Sequence, residues 1–179
     1  MIQCDTNWYI ITGGPSSGKS TLLTYLQSAG YVIIPEVARA LIDEEIAKGK
    51  SLQEIRFDER AFQRRVFQRK IDLEEKLLSD QLTFLERGIP DSIAYYRLTG
   101  DEVEPVINAS KKRKYKRVFL LEQVPFVKDY ARTEDEGRAN IISNFLHKAY
   151  QDVGYEVTTI PLLSVPERAE ILLKYVEPS

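Results

Sequence analysis

The run Gly13-Gly14-Pro15-Ser16-Ser17-Gly18-Lys19-Ser20-Thr21 constrains this chain more than any other. It fits the pattern G-x-x-x-x-G-K-[ST]. Glycines at the first and sixth positions let the backbone turn through conformations closed to residues with a Cβ, and successive N–H groups then point at one anion. Lys19 is spaced to reach the β- and γ-phosphates, and Ser20 to put its hydroxyl on Mg²⁺. The flanks are the required ones. Trp8-Tyr9-Ile10-Ile11 is a short, apolar, β-prone run of the kind that forms a buried parallel strand. Residues 20–26 are helix-forming and apolar at 22, 23 and 26, with Gly30 as a stop. That helix directs the positive end of its dipole at the same anion. The competing reading, a glycine-rich turn that binds nothing, is set aside on this context.

The alternation continues down the chain. Strand 31–34 ends at Pro35-Glu36, and helix 37–48 stops at Gly49. A long helix is expected over 58–79, with Phe62, Val66, Leu73 and Leu77 lining one face. Strand 82–85 leads into Glu86-Arg87-Gly88, and helix 91–98 is broken by Thr99-Gly100-Asp101. Strand 117–121, helix 134–153, strand 156–160 and helix 166–175 complete the pattern, the last with Ser164 as N-cap and an early proline. Strands spaced by helices imply an α/β fold: a five-stranded parallel sheet with helices on both faces, a three-layer sandwich. No linker or repeat interrupts 1–179, so one domain is expected.

Composition narrows the classes. Net charge is −2, so no global basic field favours nucleic acid. The lone Cys4 cannot close an internal disulfide, and neither it nor the single His147 belongs to a metal-ligand spacing. No apolar run approaches the roughly 18 residues of a membrane helix, and the N-terminus lacks a signal-peptide pattern. A cytoplasmic protein is expected, with a nucleotide and a small molecule as partners and a homo-oligomer left open. The basic block 111–117 leads straight into a strand and reads as a solvated strand entrance; a contact with nucleic acid, acidic lipid or polyphosphate is the alternative.

In such sheets ligands bind beyond the C-terminal strand ends. The second strand ends in Glu36, suited to accept a proton from a substrate hydroxyl or to bind Mg²⁺ through water. The third ends in Glu86-Arg87: Glu86 is a candidate metal ligand, and Arg87 is a candidate to steady the transferring group or the acceptor. Asp91 is equally readable as a substrate contact or a helix cap. The fourth ends in Glu122, followed by Arg132 and Arg138 in a segment around 128–140 that reads as an arginine-bearing lid over the nucleotide. Arg65, Arg69, Phe62 and Tyr95 are weaker candidates for an acceptor pocket, with an exposed basic face and packed core ranked ahead.

Three stretches together carry a resemblance: the loop at 13–21, Tyr31 to Arg39 with its Pro35-Glu36, and Leu85-Glu86-Arg87-Gly88 onward to Tyr95. They resemble the small kinase-type ATPases often labelled AAA-domain proteins, a group similar to the ribosylnicotinamide kinase domain and more distantly to deoxynucleoside kinases. The resemblance spans nearly the whole chain. It implies the strand order 2-3-1-4-5. It also implies ATP with Mg²⁺, a base role for Glu36, the Glu-Arg pair at Glu86 and Arg87, and lid arginines at Arg132 and Arg138. Glu86 departs from the Asp of an Asp-Arg-Gly version, though a longer acid still reaches a metal. No arginine-finger or sensor pattern accompanies the AAA label. Phosphoryl transfer from ATP to a hydroxyl of a small, nucleoside-like metabolite is the expected activity. A slow ATP- or GTP-dependent switch with a protein or lipid partner is the alternative; the absence of Asn/Thr-Lys-x-Asp favours ATP.

Overall fold

The computed structural model describes residues 4–123 and 133–176, without the side chains of 133–136 and 138. The elements run β1 (Cys4–Asp5), β2 (Trp8–Thr12), α1 (Lys19–Ser28), β3 (Val32–Ile34), α2 (Val37–Ala47), α3 (Leu52–Ile55), α4 (Glu59–Glu74) and β4 (Thr83–Glu86). They continue with α5 (Asp91–Thr99), α6 (Glu104–Ser110), β5 (Arg113–Lys114), β6 (Arg117–Leu121), α7 (Thr133–Asp152), β7 (Val157–Ile160) and α8 (Val165–Leu173).

The main sheet is parallel with order β3-β4-β2-β6-β7. Numbered among themselves, its strands lie in the expected order 2-3-1-4-5. β1 and β5, too short to read from periodicity, pair separately. Both faces of β2 are buried, which explains its unbroken apolar run. Tyr9 and Ile11 pack with Leu22, Leu23 and Leu26 of α1 and Leu172 of α8. Trp8 and Ile10 face the other way, onto Tyr115 and Tyr150. A second cluster on the α5–α7 side joins Ile93 to Leu146 and Leu120.

Two expectations shift. The long helix ends at Glu74 rather than near 79. The start of β2 captures the following segment: the Trp8 indole donates to the Leu78 carbonyl at 2.9 Å, and Asn7 N–H to that of Ser79 at 2.7 Å. Those bonds draw the chain out of the helix, while Leu77 joins the Trp8 cluster. Helices α3 and α6 are additions. α3 is closed by a capping box between Ser51 and Glu54, and α6 carries a proline in its first turn.

Candidate functional site

The strand order brings the ends of β3, β4 and β2 side by side, and the candidate side chains meet there. Gly13 and Gly18 have φ of 146° and 86°, and Ser16 shares the left-handed region at 61°. A Cβ on Gly13 would stand 2.8 Å from Ser17 Oγ and 2.9 Å from the Leu121 carbonyl, so the cradle tolerates only glycine there. Gly14 is closed in the same way by Gln123 and the Ala139 carbonyl. Pro15 and Ser16 are exposed at the tip, Ser17 is buried beneath it, and Thr21 faces outward on α1.

Lys19 is buried, its ammonium donating to Gly14 O at 2.8 Å and Ser17 Oγ at 3.3 Å. Burial first, and then the Arg87 charge, lower it from its ordinary value to about 7, while Glu36, Glu86 and Asp91 pull the other way. Ser20 Oγ donates to Glu86, 3.0 Å from Oε1 and 3.2 Å from Oε2. The Glu86 carboxyl is raised by burial and by the neighbouring Glu36 charge. Hydroxyl and carboxylate thus share one spot beside the loop, a donor set of hard oxygens suited to Mg²⁺ when phosphates supply the other ligands. Glycines a Cβ would fill, a buried lysine and this oxygen pair all fit a nucleoside triphosphate with its metal.

Arg87 follows β4 with φ of 67°, an unusual conformation for a bulky residue. Its Nε donates to Glu36 Oε1 at 2.9 Å, and its Nη1 to Asp91 Oδ1 at 3.0 Å. Burial opposes its charge, but Tyr95, Asp91 and Glu36 hold it above the usual guanidinium range. The Glu36 side chain keeps 27% exposure, so it remains reachable from solvent.

Behind Arg87 lies a buried polar network that sequence reasoning missed apart from Asp91. Asp91 is fully buried and accepts from Thr12 Oγ1 at 2.7 Å, Arg87, Gly88 N–H at 3.0 Å and the Tyr150 hydroxyl. Buried Lys70 donates to Gly88 O at 2.9 Å, and the Tyr115 hydroxyl accepts from Ile89 N–H at 3.0 Å while donating to Glu74 at 2.8 Å. Gly88 is therefore gripped at both its N–H and its C=O, which over-determines the left-handed turn at Arg87. Burial pushes the Glu74 carboxyl up to about 7 and lowers the Lys70 ammonium.

A cavity of about 960 Å³ opens beside the loop, lined by Pro15, Ser16, Phe57, Arg60, Tyr95 and Ile142 among others. Tyr95 is thus one of the residues lining this cavity. Phe62 is core, and Arg65 and Arg69 instead pair with Glu45 at 3.0 Å and Glu44 at 2.5 Å on α2. Among the described residues, the arginines that do line the cavity are Arg56 and Arg60. Glu122 does not join the Arg87 group: its carboxylate accepts from Leu162 N–H at 3.2 Å. Arg132 lies outside the described residues, as does residue 128 of the expected lid; Arg138 sits on α7 with its side chain outside them. In the basic block, Arg113 lies over the Trp8 ring, Arg117 over Tyr175, and Lys114 faces Asp5 at 3.4 Å. No helix among the described residues is long and apolar enough to cross a membrane.

A family model described as an AAA domain matches residues 8–168. No curated protein sequence matches the chain at a significant level. Among solved structures, NadR protein in complex with NR is 16% identical with a TM-score of 0.69, covering 97% of this chain and 52% of that one. NadR protein in complex with NAD and AMP-PNP is 15% identical with a TM-score of 0.71, covering 97% and 50%. The chain thus spans about half the length of both NadR chains. Thymidylate kinase from Ehrlichia chaffeensis is 13% identical with a TM-score of 0.65, covering 97% of this chain and all of the other. At these identities the likeness is one of fold.

Proposed function

Because the chain belongs to the AAA-domain family and has the fold of P-loop kinases, we propose that it transfers the γ-phosphoryl group of ATP to a hydroxyl of a small, nucleoside-like metabolite. The loop amides and Lys19 hold the phosphate chain. Ser20 and Glu86 would hold Mg²⁺, which when bound supplies charge neutralisation across the phosphates. Glu36 accepts the proton as the acceptor oxygen attacks. Arg87 steadies charge that develops on the transferring group.

The observation that carries this reading is the Glu36–Arg87 pair at 2.9 Å, standing at strand ends beside the loop. A switch that hydrolyses nucleotide needs a water-positioning group only. A reachable carboxylate locked to a buried guanidinium, with an open cavity alongside, gives the loop an acceptor side. The solved structures of NadR and thymidylate kinase, similar in fold, support a kinase of this general kind.

The test is single-turnover ATP consumption with a panel of nucleosides, repeated with Glu36→Gln. Glutamine still accepts the Arg87 hydrogen bond but takes no proton. Transfer should fall by roughly 10²- to 10⁴-fold with nucleotide affinity retained. Unchanged transfer removes the base role, and a wild-type chain that phosphorylates no compound refutes the kinase reading.

A further inference from the structure

The phosphate-binding loop is braced from outside by two side chains that donate hydrogen bonds to its carbonyls. Arg168 on α8 is 3% exposed. Each of its three guanidinium nitrogens donates to a main-chain oxygen: Nη1 to Ser17 at 2.7 Å, Nη2 to Glu122 at 3.1 Å and Nε to Pro161 at 3.0 Å. One planar cation thereby ties the loop to the segments leaving β6 and β7. Beside it, Gln123 Nε2 donates to Pro15 O at 2.5 Å.

In a trans peptide the C=O and the following N–H point in opposite directions. Holding the Ser17 carbonyl outward therefore turns the Gly18 N–H the other way, and holding the Pro15 carbonyl does the same for the Ser16 N–H. Ser16 and Gly18 are two of the loop's left-handed positions, at φ of 61° and 86°. Ser16 carries a Cβ, so its left-handed conformation is an uncommon one that support from the surrounding structure helps to hold. The contact is close, since a Cβ on Gly18 would stand 3.3 Å from Arg168 Nη1.

We propose that Arg168, seconded by Gln123, is a positioning residue of the nucleotide site: it aims the Gly18 and Ser16 amides at the phosphate chain without touching a phosphate itself. The inference rests on the nucleotide-binding half of the reading above and is independent of the acceptor. It requires a guanidinium. A lysine ammonium is a compact point charge and cannot reach the three carbonyls that the guanidinium meets through three separate nitrogens.

The experiment compares the full chain with Arg168→Lys and Gln123→Met, titrated with ATP, ADP and inorganic pyrophosphate, alongside melting temperature and amide hydrogen exchange. Arg168→Lys should weaken all three ligands alike by about tenfold or more, because the loop's grip and not a base contact is lost. Gln123→Met should weaken them less, with little change in melting. In both variants exchange should rise over residues 13–20 while residues 83–92 keep wild-type protection. Arg168→Lys binding ATP within about twofold of wild type, or exchange rising evenly through the sheet, overturns the proposal. A wild-type chain that binds ATP but phosphorylates no acceptor refutes transfer and leaves this test readable; one that binds no nucleotide refutes both.

Discussion

Removing the Asp91 carboxylate is the sharpest test of the buried network behind the site. Asp91→Ala would leave Thr12 Oγ1, Arg87 Nη1, Gly88 N–H and the Tyr150 hydroxyl without their shared acceptor, all in a place closed to water. Arg87 keeps Glu36, and Gly88 N–H keeps the Tyr150 oxygen at 3.1 Å, so the loss is partial. Breaking a buried charge pair by removing one partner costs about 3–5 kcal/mol. At about 2–4 °C per kcal/mol for a chain of this size, the melting temperature should drop by about 6–20 °C. Asp91→Asn keeps the shape but turns an NH₂ toward one pair of donors, so it should fall between. The pH dependence has a definite sign. Burial alone would raise the Asp91 carboxyl, but Lys70, Arg87, Tyr150 and Thr12 together lower it below its ordinary value. Its stabilisation is therefore fully present above the unfolded value of about 3.9 and is lost as pH falls through the folded one. The gap between wild type and Asp91→Ala should be full at about pH 6 and close below about pH 4. Thermal unfolding followed by circular dichroism measures both. An Asp91→Ala chain melting within about 2 °C of wild type at neutral pH would refute the reasoning.

Lys19, lowered to about 7, binds less than a full proton in the free chain near pH 7.5, so gripping a phosphate should draw one in. Calorimetry of ATP binding in buffers of different ionisation enthalpy should show proton uptake that disappears in Lys19→Met; equal uptake in both removes the assignment. Because its folded value is depressed, Lys19 weighs against folding below about pH 7, and the cost fades toward about pH 10.5. Lys19→Met should therefore raise the melting temperature of the nucleotide-free chain at pH 6 more than at pH 10, and the reverse order contradicts the burial argument. Glu86→Gln and Ser20→Ala should each raise the Mg²⁺ concentration for half-maximal activity by roughly tenfold or more, the scale of losing an oriented ligand partner. Unchanged metal dependence in both would place the ion elsewhere.

The strand ends were legible because their chemistry depends on local order. A glycine loop between an apolar run and a helix start is complete within residues 8–26, and the rule that ligands sit beyond strand C-termini then singled out Glu36, Glu86 and Arg87 without any knowledge of packing. The Ser20–Glu86 and Glu36–Arg87 contacts follow once β3, β4 and β2 lie side by side. The residues that hold those groups in place were illegible for the opposite reason. Lys70 and Glu74 sit four apart on a helix dense in Arg, Lys and Glu, where such a pair ordinarily means a solvated face. They are buried because α4 carries them against residues 88–92 and Tyr115. Tyr115 hides within a basic block, and Tyr150 and Arg168 are single polar positions on helices whose other marks are ordinary. Periodicity ranks the faces of a helix by its own neighbours along the chain. Whether a polar residue on the inner face finds a carbonyl there depends on contacts such as Arg168 to Ser17, separated by 151 positions. Hence the groups proposed to meet substrate announce themselves, while those that aim them become visible only when distant segments are brought together.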